Sequence, residues 1–499
     1  IRKSIDTGFH IEVQDVTRFE KTSQTCYLPQ AYFRDQQWNA RLAHDAFKNV
    51  SARDLGLTIL QAITSNEAVS SLDYDIFANK LHELDVISLD FIRNIIEKYS
   101  HTQAAVHVVD STAHAIVRGF LDFKQYDKLL ELLQQRSQSG VFLDFVSANL
   151  LLDRLVDLEQ WTSALHVIWE MCLQGYFDPF SSEPVSSLTF GFALLVGQKL
   201  IESGLPEEYT PEVDANDSDE VEYRFVKYVR NANYDNFFDV QRPRLKLGFT
   251  LLHLSSLITH RLDSFDHTPT VGRSLRGAAD KLKQPLRLFG LAYSDQLVHL
   301  VADLQRLSSV EELEANGLSK AVLEKLLQAV ESCLSRSDDT PVNRGEPVLP
   351  TVSEVSSAIN YLKQLLELGT DFPDDFFITC TNFVQRGIFQ NQDCLDKEIA
   401  SVEHLYSQFE CHRDRIWRQR LETTKKASIL RDTKASLRAL LDEEERLTYF
   451  RRHNEVIRSA WLAPRTRKER IWSRMKEWRR DIARKQEKEQ GSREARADE

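Results

Sequence analysis

A repeat of about 35 residues near the middle of the chain constrains its fold more than any other feature. This interval separates Tyr126 from Trp161, and the same interval separates Gly140 from Gly175. A fixed period of this length is typical of helix-turn-helix solenoids, whose units bury their apolar faces only against neighbouring units. Such units build an extended surface rather than a pocket. The repeat therefore predicts binding rather than catalysis.

Apolar residues recur with helical spacing along most of the chain, which predicts an all-α fold. We expect a helical-hairpin solenoid, then a second helical region, and then long charged C-terminal helices. The stretch Glu207–Glu222 contains eight acidic residues and no basic one, which indicates a linker. The predicted domains are an irregular N-terminal arm at 1–50, helical repeats at 51–205, an acidic linker at 206–222, a second helical region at 223–394 with a linker at 335–350, and charged, basic C-terminal helices at 395–499.

The charge of the chain is unevenly distributed. The net charge is -12, yet residues 401–499 contain 26 Lys and Arg against 18 Asp and Glu. Within Arg446–Lys488 the basic residues outnumber the acidic ones by 15 to 5. An acidic body with a basic tail predicts that the tail approaches a polyanion. The candidates for RNA contact are Arg451, Arg452, Arg465, Arg467, Lys468, Arg470, Arg474, Lys476, Arg479 and Arg480.

The C-terminal helices also carry a partial coiled-coil pattern. Seven-residue intervals separate Leu440, Leu447, Asn454 and Trp461. The pattern is completed by Phe450 and Ile457. Pro464 interrupts this run. Two interpretations remain open, namely a charged hairpin that packs on its own body and a helix that lies along RNA or a partner subunit. We expect Trp472 and Trp478 to be buried, with stacking on an unpaired base as the alternative.

The sequence lacks the residue patterns that catalysis or metal binding requires. The six cysteines are scattered without a C-x-x-C pair, so we expect reduced, buried thiols and neither a disulfide framework nor a zinc site. No kinase, Walker or serine-hydrolase motif is complete. The longest apolar run is about half of what a membrane span requires. The chain is therefore predicted to be no enzyme and to have no cofactor, metal, membrane or small-molecule partner.

The second copy of the repeat resembles the pentatricopeptide family. The residues that carry this resemblance are Val146, Asn149, Leu151, Leu152, Asp153, Leu155, Ala164, Leu165, Met171 and Gly175. Most members of that family bind single-stranded organellar RNA with one base per repeat. The resemblance implies base-facing positions at His114, Asp144 and Asn149. The alternative interpretation is that these three residues support packing.

A further resemblance combines this repeat pair with an N-terminal pattern of Tyr27-Leu28, Ala31-Tyr32, Asp35, Trp38 and Ala40-Arg41. Together they are similar to the family of mitochondrial small-subunit ribosomal protein twenty-seven. The specific likeness covers about Cys26–Gly204, and the basic run from Arg446 departs from it. The resemblance implies a structural role in the mitochondrial matrix, with ribosomal RNA and other mitochondrial ribosomal proteins as partners.

We therefore predict a structural component of the small subunit of the mitochondrial ribosome that supports translation. The alternative is a free mitochondrial pentatricopeptide factor that binds RNA and acts on transcript stability or translation. A third hypothesis is a nuclease domain on a repeat scaffold, which would require clustered aspartates.

Overall fold

All regular secondary structure is helical in the residues that the computed structural model of the protein describes. These residues are 27–180, 185–205, 240, 242–261, 271–307, 309–333, 350–368, 375–462 and 467–494. No strand occurs within these ranges, which confirms the predicted all-α class. The predicted acidic linker at 206–222 lies outside the described residues, as does all but Pro350 of the linker at 335–350. The chain divides into two compact units, Ile1–Trp417 and Arg418–Glu499.

Among the described helices, only the last lies wholly in the second unit. The helix before it begins in the first unit, and all the others lie in the first unit. Its N-terminal half consists of α1 (Gln30–Phe33), α2 (Asp35–Ala40), α3 (Ala52–Thr64), α4 (Ser71–Asn79), α5 (Leu89–Ser100), α6 (Asp110–Asp122), α7 (Tyr126–Gln134), α8 (Arg136–Ser139), α9 (Phe145–Asp157), α10 (Trp161–Leu173) and α11 (Ser187–Ser203). Short 3-10 turns lie at Arg41–Ala43, Asp45–Phe47, Leu81–Glu83, Val86–Ser88 and Gln103–His107.

Nine further helices lie in the described residues after α11. They are α12 (Pro243–Arg261), α13 (Val271–Tyr293), α14 (Leu297–Leu304), α15 (Val310–Ala315), α16 (Lys320–Glu331), α17 (Val352–Leu368), α18 (Phe376–Asn382) with a π-helical turn at Phe383–Phe389, α19 (Gln392–Leu462) and α20 (Arg467–Glu494). Helix α19 begins in the first unit and ends in the second.

The repeated segment forms two helical hairpins, α6 with α7 and α9 with α10. Their turns are equivalent, since Lys124 and Glu159 both adopt the left-handed conformation, with φ of 54° and 56°. In the first turn the backbone N–H of Gln125 donates to the carbonyl of Phe120 at 3.1 Å, which satisfies a helix-terminal acceptor. Helix α9 packs on α6 and α10 packs on α7, so each hairpin buries its apolar face against the next.

A third turn of this kind joins α13 to α14 in the second helical region. Asp295 has φ of 60°, and the N–H of Gln296 donates to the carbonyl of Leu291 at 3.0 Å. The same geometry occurs after α3, where Asn66 has φ of 55° and the N–H of Glu67 donates to the carbonyl of Ala62 at 2.8 Å. The 35-residue period alone did not find these two turns outside the repeated segment.

Helix α11 forms the centre of the first unit. Fourteen of its residues are buried, because it packs against α9, α10, α12 and α18 on several sides. Helices α12 and α13 approach closely at Gly248 and Gly290. A Cβ on Gly248 would meet the backbone of Tyr293 and Ser294, so only glycine allows this crossing.

Helices of the second unit bury little of their surface within that unit. Helix α19 is described as far as Leu462, and Pro464, which the sequence predicts to interrupt the run, lies outside the described residues. Phe450 and Leu462 are 89% and 79% exposed, and nearly all charged side chains described in this unit are exposed.

Candidate nucleic-acid interface

His114 and Asp144, two of the predicted base-facing residues, form a pair in which His114 is buried and Asp144 is partly exposed. The Nδ1 atom of His114 lies 3.0 Å from Oδ2 of Asp144, and its Nε2 lies 3.3 Å from the hydroxyl of Tyr406. Asp144 also caps α9, because its carboxylate accepts the backbone N–H of Ser147 at 2.8 Å. The pKa of Asp144 is lowered, since the nearby His114 and the hydrogen bonds of Ser147 outweigh the effect of burial. Both side chains are thus occupied within the chain.

Asn149, the third predicted base-facing residue, is fully buried. Its amide group donates to the hydroxyl of Tyr32 at 2.9 Å and to that of Ser186 at 3.3 Å. Its carbonyl oxygen accepts from the Thr189 hydroxyl at 2.8 Å. These partners come from the N-terminal arm and from the start of α11. Asn149 is therefore a hydrogen-bonding centre for three segments that are far apart in sequence.

Trp38 on α2 covers the same side of the repeats. The guanidinium carbon of Arg41 lies 3.6 Å from its ring centroid, and that of Arg118 lies at 5.1 Å. Arg118 also donates to the hydroxyl of Tyr406 at 2.9 Å and to the carbonyl of Phe33 at 3.1 Å. Burial lowers the pKa of Arg41 to about 9, an effect that the nearby Arg118 reinforces. Residues of the arm, α6 and α19 therefore surround the indole ring of Trp38.

A buried ion pair ties α19 to the repeats. Nε of Arg413 donates to Oδ2 of Asp75 at 2.9 Å, and both side chains are almost completely buried. The other oxygen of Asp75 accepts from the hydroxyl groups of Ser111 and Thr112, which lie on α6. Buried charges need such compensation, because desolvation would otherwise cost several kcal/mol. This network joins α4, α6 and α19.

Two further buried carboxylates connect distant segments, one binding the N-terminal arm and the other joining α19 to the start of α11. Oδ1 of Asp153 accepts the backbone N–H groups of Tyr27 and Leu28 at 3.0 and 3.1 Å. Glu398 on α19 accepts the hydroxyl of Ser186 and the backbone N–H of Ser187, at the start of α11. Burial raises the pKa of Asp153 to about 6 and also raises that of Glu398. The predicted base-facing side of the hairpins is therefore covered by the arm and by the first part of α19.

The contacts that cover this face were not found from the sequence. The aromatic run Tyr27–Phe33 lies in the predicted N-terminal arm, for which packing on another element or on a partner remained open. Its partners were not identifiable, because Asp153 and Asn149 are more than 115 positions away from it. The first turns of α19 carried no signal beyond their apolar spacing.

Basic residues of the second unit are exposed, in contrast to the buried His114 and Asn149 of the hairpins. The predicted RNA contacts whose side chains the structure describes are all exposed, namely Arg451, Arg452, Lys468, Arg470, Arg474, Lys476, Arg479 and Arg480. Arg465 lies outside the described residues, and Arg467 lies in α20 without a described side chain. Trp472 and Trp478 are 74% and 63% exposed, so the expectation that they are buried is wrong.

Other chemistry has little support in the described part of the chain. No group of three or more His, Cys, Asp or Glu residues there is arranged to hold a metal ion. Four cysteines are free and buried, as expected, namely Cys172, Cys333, Cys380 and Cys394. Cys411 is free but exposed, because it lies on the outer face of α19. Within the same ranges no helix is both long and apolar enough to cross a membrane.

These features define an all-α protein of helical hairpins, with one hairpin face closed by its own chain and with basic side chains on exposed helices. A family model described as mitochondrial 28S ribosomal protein S27 matches residues 1–439, and the chain belongs to that family. The protein is thus a mitochondrial ribosomal protein of the small subunit, which confirms the resemblance and the mitochondrial location predicted above. The match extends well beyond Gly204 and ends before Arg446.

Proposed function

We infer that this protein is a structural component of the mitochondrial small subunit that binds ribosomal RNA through its second unit and holds neighbouring proteins in place. The observation that carries this proposal is the contrast between two sets of polar side chains. His114, Asp144 and Asn149 are used inside the first unit. The arginines and lysines of α19 and α20 are exposed. No catalytic step is part of this proposal.

Recognition of RNA would then depend on backbone charge rather than on base identity. Arginine and lysine neutralise phosphates and release counterions, which positions a protein without reading sequence. A pentatricopeptide reader needs accessible polar residues at successive repeats. Here His114 and Asn149 are buried beneath the arm and α19, and the partly exposed Asp144 is engaged by His114 and Ser147. This burial favours the ribosomal role over a free factor that selects one transcript.

A salt titration tests the RNA contacts. Replacing Arg452, Arg470, Arg474 and Arg479 by Gln removes four positive charges from exposed positions. We expect weaker binding to small-subunit RNA and a slope of log K against log salt that is smaller by about 3, since each phosphate contact contributes about 0.7 to 0.9. The measurement is filter binding of the full chain between low and physiological salt.

The matched control is a set of four substitutions by Gln at exposed basic residues of the first unit, namely Arg53, Lys98, Lys320 and Lys363. We expect these to leave the salt slope unchanged. An equal loss of slope in both variants would contradict the assignment of RNA binding to the second unit. Sedimentation of the native protein away from small subunits at physiological salt would contradict the ribosomal role itself.

A further inference from the structure

An apolar stripe on α19 is exposed in the second unit. Leu440, Leu447 and Asn454 recur at seven-residue intervals. Phe450 and Ile457 take the d-type positions after Leu447 and Asn454, while Glu443 takes the d-type position after Leu440. Leu440, Leu447 and Phe450 are 62%, 70% and 89% exposed. We call the five residues other than Glu443 the α19 seam. Burying a Leu, Ile or Phe side chain contributes about 1.5 to 3 kcal/mol, so covering the seam would stabilise a complex considerably.

The spacing of the seam indicates what can cover it. A strict seven-residue repeat drifts by about 20° per repeat around a straight α-helix, and a left-handed supercoil with another helix compensates for this drift. Asn454 stands at an a-type position, where asparagine fixes register by pairing with a polar residue across the interface. A helix with a matching repeat therefore fits the seam better than a flat surface or a nucleic acid does.

Charged residues beside the seam indicate the chemistry of that helix. With Leu440 and Leu447 at a positions, Arg446 occupies a g position and Arg451 and Arg458 occupy e positions. Glu444 occupies the remaining e position, so arginine outnumbers acidic residues at these positions by three to one. All three arginines are exposed. Residues at e and g face the partner helix and determine its choice by charge. The flanks of the seam therefore favour a partner with Asp or Glu at its own e and g positions.

Helices of this chain itself are poor occupants. In a parallel second copy, g positions face the e positions of the next heptad, so Arg446 would meet Arg451 of the other copy. Helix α20 has an apolar face of its own, but Arg474 and Arg479 flank it. In the structure this face is also exposed, since Met475 and Trp478 are 46% and 63% accessible. Like charges disfavour both arrangements.

We propose that the α19 seam binds one α-helix of a second protein, with apolar a and d positions and acidic e and g positions, as a two-stranded coiled coil. The seam lies immediately after residue 439, where the match to the family ends. That the second protein is a neighbour in the small subunit rests on the proposed function. The coiled-coil interaction itself does not depend on the ribosome.

Photocrosslinking in native small subunits tests the partner. A benzoylphenylalanine replaces Phe450 in the full chain, and the control replaces Tyr449, which lies off the seam on the same helix. We expect position 450 to crosslink one protein, within a segment that has an apolar seven-residue repeat and acidic flanks, and position 449 not to do so. Adducts to RNA, to a second copy or equally from both positions, or no adduct at all, would overturn the proposal.

Peptide binding by the purified full chain tests the coiled coil without the ribosome. The probes are two synthetic four-heptad peptides with Leu at a and d and with Asn opposite Asn454, one with Glu and one with Lys at e and g. We expect the Glu peptide to bind about tenfold more tightly, and charge reversal of Arg446, Arg451 and Arg458 to Glu to invert this preference. If the protein sediments apart from small subunits while this preference holds, only the proposed function fails.

Seam variants complete the peptide experiment. Leu447→Asp combined with Phe450→Asp should abolish binding of the Glu peptide, since both side chains lie in the seam. Tyr449→Asp should leave it unchanged. Equal affinity for the two peptides, or a dimer of the full chain that Leu447→Asp dissociates, would overturn the proposal. Circular dichroism confirms that each variant keeps its helical content.

Discussion

Individual polar residues in the hairpins connect distant parts of the chain. Asn149 uses both ends of its amide, and His114 uses both ring nitrogens, in contacts with the arm, α9, α11 and α19. A buried polar group costs about 1 to 3 kcal/mol if it lacks a partner, so these residues favour the arrangement that satisfies them. Asp153 is an exception, because its Oδ2 is buried without a hydrogen-bond partner in the described structure.

This incomplete pairing of Asp153 predicts a pH dependence of stability. Its folded pKa of about 6 lies above the ordinary value of 3.8, because burial outweighs the hydrogen bonds to Leu28 and Tyr27. The protonated Asp153 carboxyl group therefore stabilises the folded state fully below pH 4, and this stabilisation is lost as the pH rises through 6. The expected decrease in unfolding free energy between pH 4.5 and 7 is about 2 kcal/mol for this group. Asp153→Asn should remove that part of the pH dependence in denaturant unfolding at pH 4.5 and 7.

The control for this prediction is Asp127→Asn, an exposed carboxylate on α7. We expect the control to keep the pH dependence of the natural protein. Glu398 is buried and its raised pKa gives a slope of the same sign, so Asp153→Asn should reduce the slope without eliminating it. An unchanged slope in Asp153→Asn would show that the carboxylate is charged in the folded state.

Among the elements, α12 and α13 show how one glycine determines a helix crossing. Glycine has no Cβ, so α12 can contact the end of α13 through Gly248. Gly290 on α13 is similar, since a Cβ there would lie 2.8 Å from Leu252. The sequence predicted a second helical region over this part of the chain. It did not predict this close approach, because glycine in a helix has no periodic signature.

Gly248→Ala should therefore strongly destabilise the protein. The added Cβ would meet backbone atoms of Tyr293 and Ser294 that have no freedom to rotate away. Overpacking of this kind costs about 1 to 3 kcal/mol or more. The matched control is Gly277→Ala on α13, where a Cβ has no neighbour within 4 Å. Because alanine is the better helix former, the control should gain about 1 kcal/mol in unfolding free energy. Similar changes in both variants would exclude a close crossing at Gly248.

At the scale of the whole molecule, the first turns of α19 complete the first unit. Tyr406, Phe409 and Arg413 are buried against the repeats and the arm, although they are nearly 300 positions from α6. The rest of α19 is exposed. One continuous helix therefore serves as a packing element at its start and as an accessible surface further along.

Two truncated chains test this division of α19. A chain that ends at Trp417 should keep the cooperative unfolding of the first unit, since it retains every buried residue of α19. A chain that ends at Asn391 loses Tyr406, Phe409 and Arg413. Removing one buried aromatic side chain costs about 3 to 5 kcal/mol, and the total stability of a domain is about 5 to 15 kcal/mol. We therefore expect the shorter chain to lose its cooperative transition in guanidinium. Identical transitions for both chains would contradict a structural role for the start of α19.

The sequence by itself determined the helical class, the 35-residue hairpin period and the uneven charge, because each follows from residue types at short spacing. The tertiary structure decided the state of His114, Asp144 and Asn149. The resemblance to pentatricopeptide repeats implied that these residues face a base, while packing brought Tyr32, Trp38 and Tyr406 over them. The reason is that burial and hydrogen bonding depend on distances in space, and the covering segments are about 80 to 290 positions away along the chain.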